Sequence, residues 1–91
     1  MLPEIVFKCQ GVKGPGYFRD QLLRAALSGV LNTVEGAAKP TPKDRRRFYC
    51  IAYASTKEVQ ALLELHQIKE LQSLADELGA CLYRLSHPKA G

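Results

Sequence analysis

YFRDQLLRAALSGVLNTVEGAA, Tyr17 to Ala38, is the stretch on which the fold turns. No proline interrupts it, and its length corresponds to about six helical turns. Its polar positions Asp20, Arg24, Ser28, Asn32 and Glu35 step by four, four, four and three, so they lie in one narrow stripe. Nearly everything else is apolar or small, from Phe18 and Leu22 to Leu27, Leu31 and Val34. A helix apolar around most of its circumference is expected to be buried on more than one side. Ala25, Ala26, Ser28 and Gly29 are small enough to let a neighbouring helix come close. The segment reads as the central helix of a bundle.

Upstream, the turn GVKGPG (Gly11 to Gly16) ends a short helix in MLPEIVFKCQ. Downstream, Gly36 and Pro40 break the chain, and Thr41-Pro42-Lys43-Asp44 reads as an N-cap, a proline at the first helical position and a carboxylate at the third. The inward row of the helix that follows is expected to be Phe48, Ile51, Ala52, Ser55, Val59, Leu62 and His66. Leu71, Leu74, Leu78, Leu82 and Leu85 mark a last amphipathic helix that stops at Ser86-His87-Pro88. Neither glycine nor proline lies between Ser55 and Gly79, and periodicity alone leaves the boundary open. Two helices with a break near residues 66–70 are favoured, because one of about 45 residues is anomalous in a small domain. With no alternating β-branched runs, the expectation is all-α with no sheet.

Ninety-one residues, 46% hydrophobic and 24% charged, make a single domain spanning residues 1–91. The longest uncharged run, Ala25 to Val34, is too short to span a bilayer, and Glu4 and Lys8 interrupt any leader-like segment. A cytoplasmic protein without membrane association is expected. Cys9, Cys50 and Cys81 are an odd, widely spaced set, read as buried reduced thiols rather than disulfides or a zinc site. His66 and His87 lack ligand-spaced partners, so neither metal nor cofactor is expected.

The net charge of +4 is concentrated. Between residues 39 and 47 five cations (Lys39, Lys43, Arg45, Arg46, Arg47) face one carboxylate, Asp44, so this segment alone matches the excess of the whole chain. Positive charge in the first turns of a helix is mildly unfavourable, so helix stability does not explain the arginines. Three adjacent helical residues fan over roughly 200° and cannot share one face. Arg45 is expected at the core rim, paired with a carboxylate such as Glu35. Arg46, Tyr49, Tyr53 and Lys57 share another row. With Lys39, Lys43 and Arg47 they form the candidate nucleic-acid surface, pairing phosphates and stacking on bases. The same tyrosines suit a subunit interface. Asn32, Glu35, Arg45, Ser55 and Glu58 are read as a structural polar cluster, not a catalytic one, since no nucleophile has a base at hand.

The run from Phe18 to Leu63 resembles the four-helix-bundle proteins encoded in ribosomal-RNA intervening sequences. Their pattern is Asn-x-x-Glu-Gly, a short basic linker, then Phe-x-x-x-Ala-x-x-Ser-x-x-Glu. Here it is met by Asn32, Glu35, Gly36, Phe48, Ala52, Ser55 and Glu58. The resemblance implies an antiparallel up-and-down four-helix bundle that assembles into a homo-oligomer, commonly of five subunits. It extends to the accessory protein of diversity-generating retroelements, which implies nucleic acid or a reverse transcriptase as partner. It also implies a longer first helix than the ten residues before Gly11, so the N-terminus reads as shortened.

Two functions follow as expectations. One is a non-catalytic oligomeric scaffold whose basic surface binds RNA, DNA or a nucleic-acid enzyme. The other is a purely structural interaction module that binds no nucleic acid.

Overall fold

The computed structural model describes residues 2–88, with side chains from Glu4 onward. Its elements are α1 (Leu2–Gln10), α2 (Gly16–Ala38), α3 (Pro42–Leu65), a 3-10 turn (Lys69–Leu71) and α4 (Gln72–Ser86), with no strand among the described residues. Together they form a helical bundle 44 × 20 × 19 Å, its length set by the two long helices.

Helix α1 carries an exposed Glu4–Lys8 ion pair of 3.2 Å outside and buries Ile5 and Cys9 inside. After Val12, which is also buried, the chain turns into α2. There Phe18, Leu22, Ala25, Ala26, Gly29 and Gly36 form the buried face. Of these, Phe18, Leu22, Ala25 and Ala26 join Val59 and Leu63 of α3 and Leu71, Ala75 and Leu78 from the last segment in one core.

The tightest packing is between α2 and α3, and glycine makes it possible. A Cβ at Gly36 would lie 2.8 Å from Tyr49 Cε1 and 3.2 Å from the Arg45 carbonyl. Seven residues earlier on the same face, a Cβ at Gly29 would lie 3.3 Å from Thr56 Oγ1. Gly29 thus meets Ala52, Ser55 and Thr56, while Gly36 meets Arg45 and Tyr49, so the end of α2 lies beside the start of α3.

This close approach rotates α3 relative to the expected inward row. The buried residues are Ala52, Thr56, Val59 and Leu63. Phe48, Ser55 and Leu62 are half-buried, and Ile51 and His66 are exposed. Apolar spacing alone pointed about a sixth of a turn too far to one side, because small Ala52 and Thr56 face Gly29 of α2. Thr56 satisfies its hydroxyl by donating to the Ala52 carbonyl at 2.9 Å. The expectation that α2 is covered on several sides also fails for its outward stripe: Leu27, Leu31 and Val34 are 47%, 54% and 58% exposed.

Helix α3 ends at Leu65 without glycine or proline. Gln67 takes the left-handed conformation (φ 56°), the Gln67 amide donates to Glu64 and the Ile68 amide to Leu63, at 3.1 and 2.8 Å. Those two bonds define a Schellman motif, and Ile68 packs against the core cluster that contains Leu63. The break falls within residues 66–70, where the sequence places it. The cysteines are all free, as expected, but only Cys9 is buried; Cys50 is exposed and Cys81 half-buried.

Two outcomes follow. Gly36→Ala should destabilise by about 1–2 kcal/mol, the steric clash outweighing the better helix propensity. Gly16→Ala, with open space around its Cβ, should not; chemical denaturation measures both. Burial pushes the Cys9 thiol up from 9.0 to about 11. A raised folded-state value means that its contribution is intact below pH 9 and lost as pH climbs toward 11. Across that window wild type should lose about 2–3 kcal/mol relative to Cys9→Ala, read from paired denaturation curves.

Candidate nucleic-acid interface

The start of α3 is built as its sequence specifies. The Thr41 hydroxyl accepts the Asp44 amide at 3.2 Å, and Pro42 occupies the first helical position. What the sequence did not show is which groups surround that helix start. The end of α2 and the end of α4 both lie against it, and helix C-termini carry partial negative charge.

Arg45 donates through Nη1 to the carbonyls of Lys39 (3.0 Å) and Pro40 (3.2 Å), just past α2. Arg46 donates through Nε to the Ser86 carbonyl, the last of α4, at 3.0 Å, and the Cys50 thiol approaches the same oxygen at 3.8 Å. Two of the three arginines therefore cap neighbouring helices. This corrects the expected Arg45–Glu35 pair: Glu35 instead pairs with Lys39 at 3.3 Å. Arg45 is structural, as read from the sequence, but through carbonyls.

The remaining candidate residues divide between two flanks. On one, Lys39 Nζ and the Arg47 guanidinium lie 5.0 and 5.2 Å from the centroid of the Phe48 ring. On the other, Tyr53 packs edge-on against Tyr83 (5.7 Å) and His87 (5.9 Å), Lys57 Nζ sits 6.0 Å from the Tyr53 ring, and Tyr83 stacks on His87 at 4.2 Å. Tyr49 is half-buried against Gly36, so it packs the α2–α3 contact rather than standing free. Lys43 is exposed and, with Arg45, Arg46, Tyr49 and Leu85, lines an open groove of about 420 Å³.

The polar cluster assembles only in part. Ser28 and Ser55 share a 2.8 Å hydrogen bond between α2 and α3, and the Asn32 amide donates to the Ser28 carbonyl and hydroxyl. Glu58 is exposed, and no hydrogen bond or ion pair joins Glu35, Arg45 or Glu58 to the serines and Asn32 among the described residues. Sequence reading missed Tyr83, Arg84 and His87, which α4 brings beside Tyr53 and Lys57. Their Tyr-Arg-x-x-His spacing was present in the chain, but it was read only as a helix ending. No cluster able to hold a metal ion occurs among the described residues.

Fold and site define a small all-helical bundle with a basic, aromatic-flanked helix junction. A family model described as 23S rRNA-intervening sequence protein matches residues 16–85, and the chain belongs to that family. No curated protein and no solved structure matched the chain.

The capping roles are testable. Arg46→Ala should lower stability by about 1–2 kcal/mol, since it removes a charge-assisted bond to a helix end. Arg45→Ala, which removes two such bonds, should cost at least as much; thermal melts followed by circular dichroism check both.

Proposed function

We propose that this protein is a non-catalytic scaffold. In this reading an antiparallel up-and-down bundle assembles with copies of itself in the cytoplasm, five being the expected number. Its basic surface holds nucleic acid or a nucleic-acid enzyme such as a reverse transcriptase. The observation that carries it is the set of unneutralised cations around α3. Lys43, Arg46, Arg47, Lys57 and Arg84 are all exposed, and none has an ion pair among the described residues. Concentrated, unpaired positive charge beside exposed aromatic rings is the footprint of a polyanionic partner. Family membership is in keeping with a chain encoded within ribosomal RNA genes. The half-exposed Leu27, Leu31 and Val34 stripe supports self-association, since contiguous exposed apolar surface commonly marks an interface. No helix of the described residues is long and apolar enough to cross a membrane.

A second reading, a purely structural interaction module, draws on Arg45 and Arg46, whose bonds to carbonyls already account for two arginines. Lys43 and Arg47 separate the two, because neither makes a hydrogen bond among the described residues. The double variant Lys43→Glu/Arg47→Glu should weaken retention of single-stranded RNA by at least about tenfold and flatten its salt dependence. Helicity and native mass should stay unchanged. Unaltered RNA binding, or a change in assembly instead, would favour the structural module.

A further inference from the structure

The flank between α3 and α4 holds a second feature, distinct from the charge around the α3 start. A groove of about 370 Å³ runs between the two helices, lined by Tyr53, Lys57, Asp76, Gly79, Tyr83 and Arg84 among others. Its volume falls in the range of small-molecule sites, roughly 300–1,000 Å³. Gly79 makes the room, for the Gln60 carboxamide lies directly over it, 3.1 Å from where a Cβ would stand. Gln60 is fixed there by donating Nε2 to Asp76 Oδ1 at 2.8 Å. Asp76 keeps its charge, so the lining carries two cations, Lys57 and Arg84, against one carboxylate, and both cations are exposed and without ion pairs among the described residues.

The aromatic wall has a definite construction. Tyr83 is 50% exposed and lines the groove, while His87 stacks against it at 4.2 Å with an interplanar angle of 18° and is not part of the lining. His87 is in turn held by hydrogen bonds of its Nδ1 with the Ser86 hydroxyl (2.9 Å) and the Tyr83 carbonyl (3.1 Å). Tyr83 is therefore braced by a second ring, and Tyr53 steadies it edge-on. A braced, half-exposed ring that shares its groove with two cations suits a flat, π-faced ligand carrying an anionic tether.

We propose that this groove is a subsite for one unpaired nucleobase, which extends the Tyr83–His87 stack while Lys57 and Arg84 take the adjoining phosphates. The inference rests on the nucleic-acid reading above and adds a strand preference to it. A base within a duplex has both faces covered and cannot enter, so single strands bind more tightly than duplexes.

The test compares a short fluorescein-labelled single-stranded RNA with the same sequence as a duplex, by anisotropy. Wild type should favour the single strand. Tyr83→Ala should weaken single-strand binding by about tenfold or more and leave duplex binding unchanged. Tyr83→Phe, which keeps the stacking face, should stay within about twofold of wild type. Photocrosslinking of unaltered protein to a bromouridine-substituted strand supplies a reading that does not depend on a variant's folding, and the crosslinked peptide should contain Tyr83. Equal affinity for both forms with no effect of Tyr83→Ala, or crosslinks confined to residues 39–47, would overturn the subsite and leave the basic surface standing. Retention of neither form by wild type would remove both proposals together.

Discussion

The close contact of α2 with α3, set by Gly29 and Gly36, is the constraint from which the rest of the arrangement follows. With no side chains at those positions, Ala52, Thr56 and Tyr49 reach the α2 backbone, and the Ser28–Ser55 hydrogen bond closes beside them. Gly36 lies against Arg45, and at the opposite end of α2 Phe18 stacks on His66, just past α3, with centroids 3.7 Å apart. Interiors packed this densely transmit small changes, so a methyl group at either glycine is felt along the whole interface.

From that arrangement comes an explanation for three consecutive arginines at a helix start. Taken alone, α3 is disfavoured by positive charge in its first turns. In the bundle those turns sit against the ends of α2 and α4, whose last carbonyls have no amide partners within their own helices. Arg45 and Arg46 satisfy carbonyls at those two ends, and Arg47 lies over Phe48. What is locally unfavourable for one helix becomes favourable for two others. The side chains' remaining donors still leave a cationic surface, so capping and polyanion contact are compatible uses of one segment.

Much of this was legible in the chain. The turn at Gly11 to Gly16, the Thr41 cap with Pro42, and the break near residue 67 fall where local chemistry puts them. Local signals are legible because they depend on neighbours a few residues away. The face of α3 was misjudged because Ile51 outweighs Thr56 in an apolar count, whereas the choice was made by Gly29 of α2, more than twenty residues upstream. Likewise the Glu35–Arg45 pairing failed because Lys39, one turn from Glu35, takes that carboxylate, while Arg45 is engaged by the Lys39 and Pro40 carbonyls. Tyr83, Arg84 and His87 stayed unread because their importance comes from Tyr53 and Lys57, which lie on another helix.

The junction after α3 has one more consequence. Between Ser55 and Gly79 there is no residue that intrinsically stops a helix. The chain folds back because Gln67 accepts a left-handed backbone and two amides close a local ring of hydrogen bonds. A non-glycine residue in that conformation carries a cost of about 1–2 kcal/mol. Straightening the junction relieves it and joins α3 to α4 in one continuous rod. The contacts that α4 makes with α3 and α1 would then have to come from a neighbouring copy instead. Straightening also requires Ile68, whose ψ of 89° is not helical, to turn, so residues 67 and 68 are where an exchange of α4 between copies would hinge.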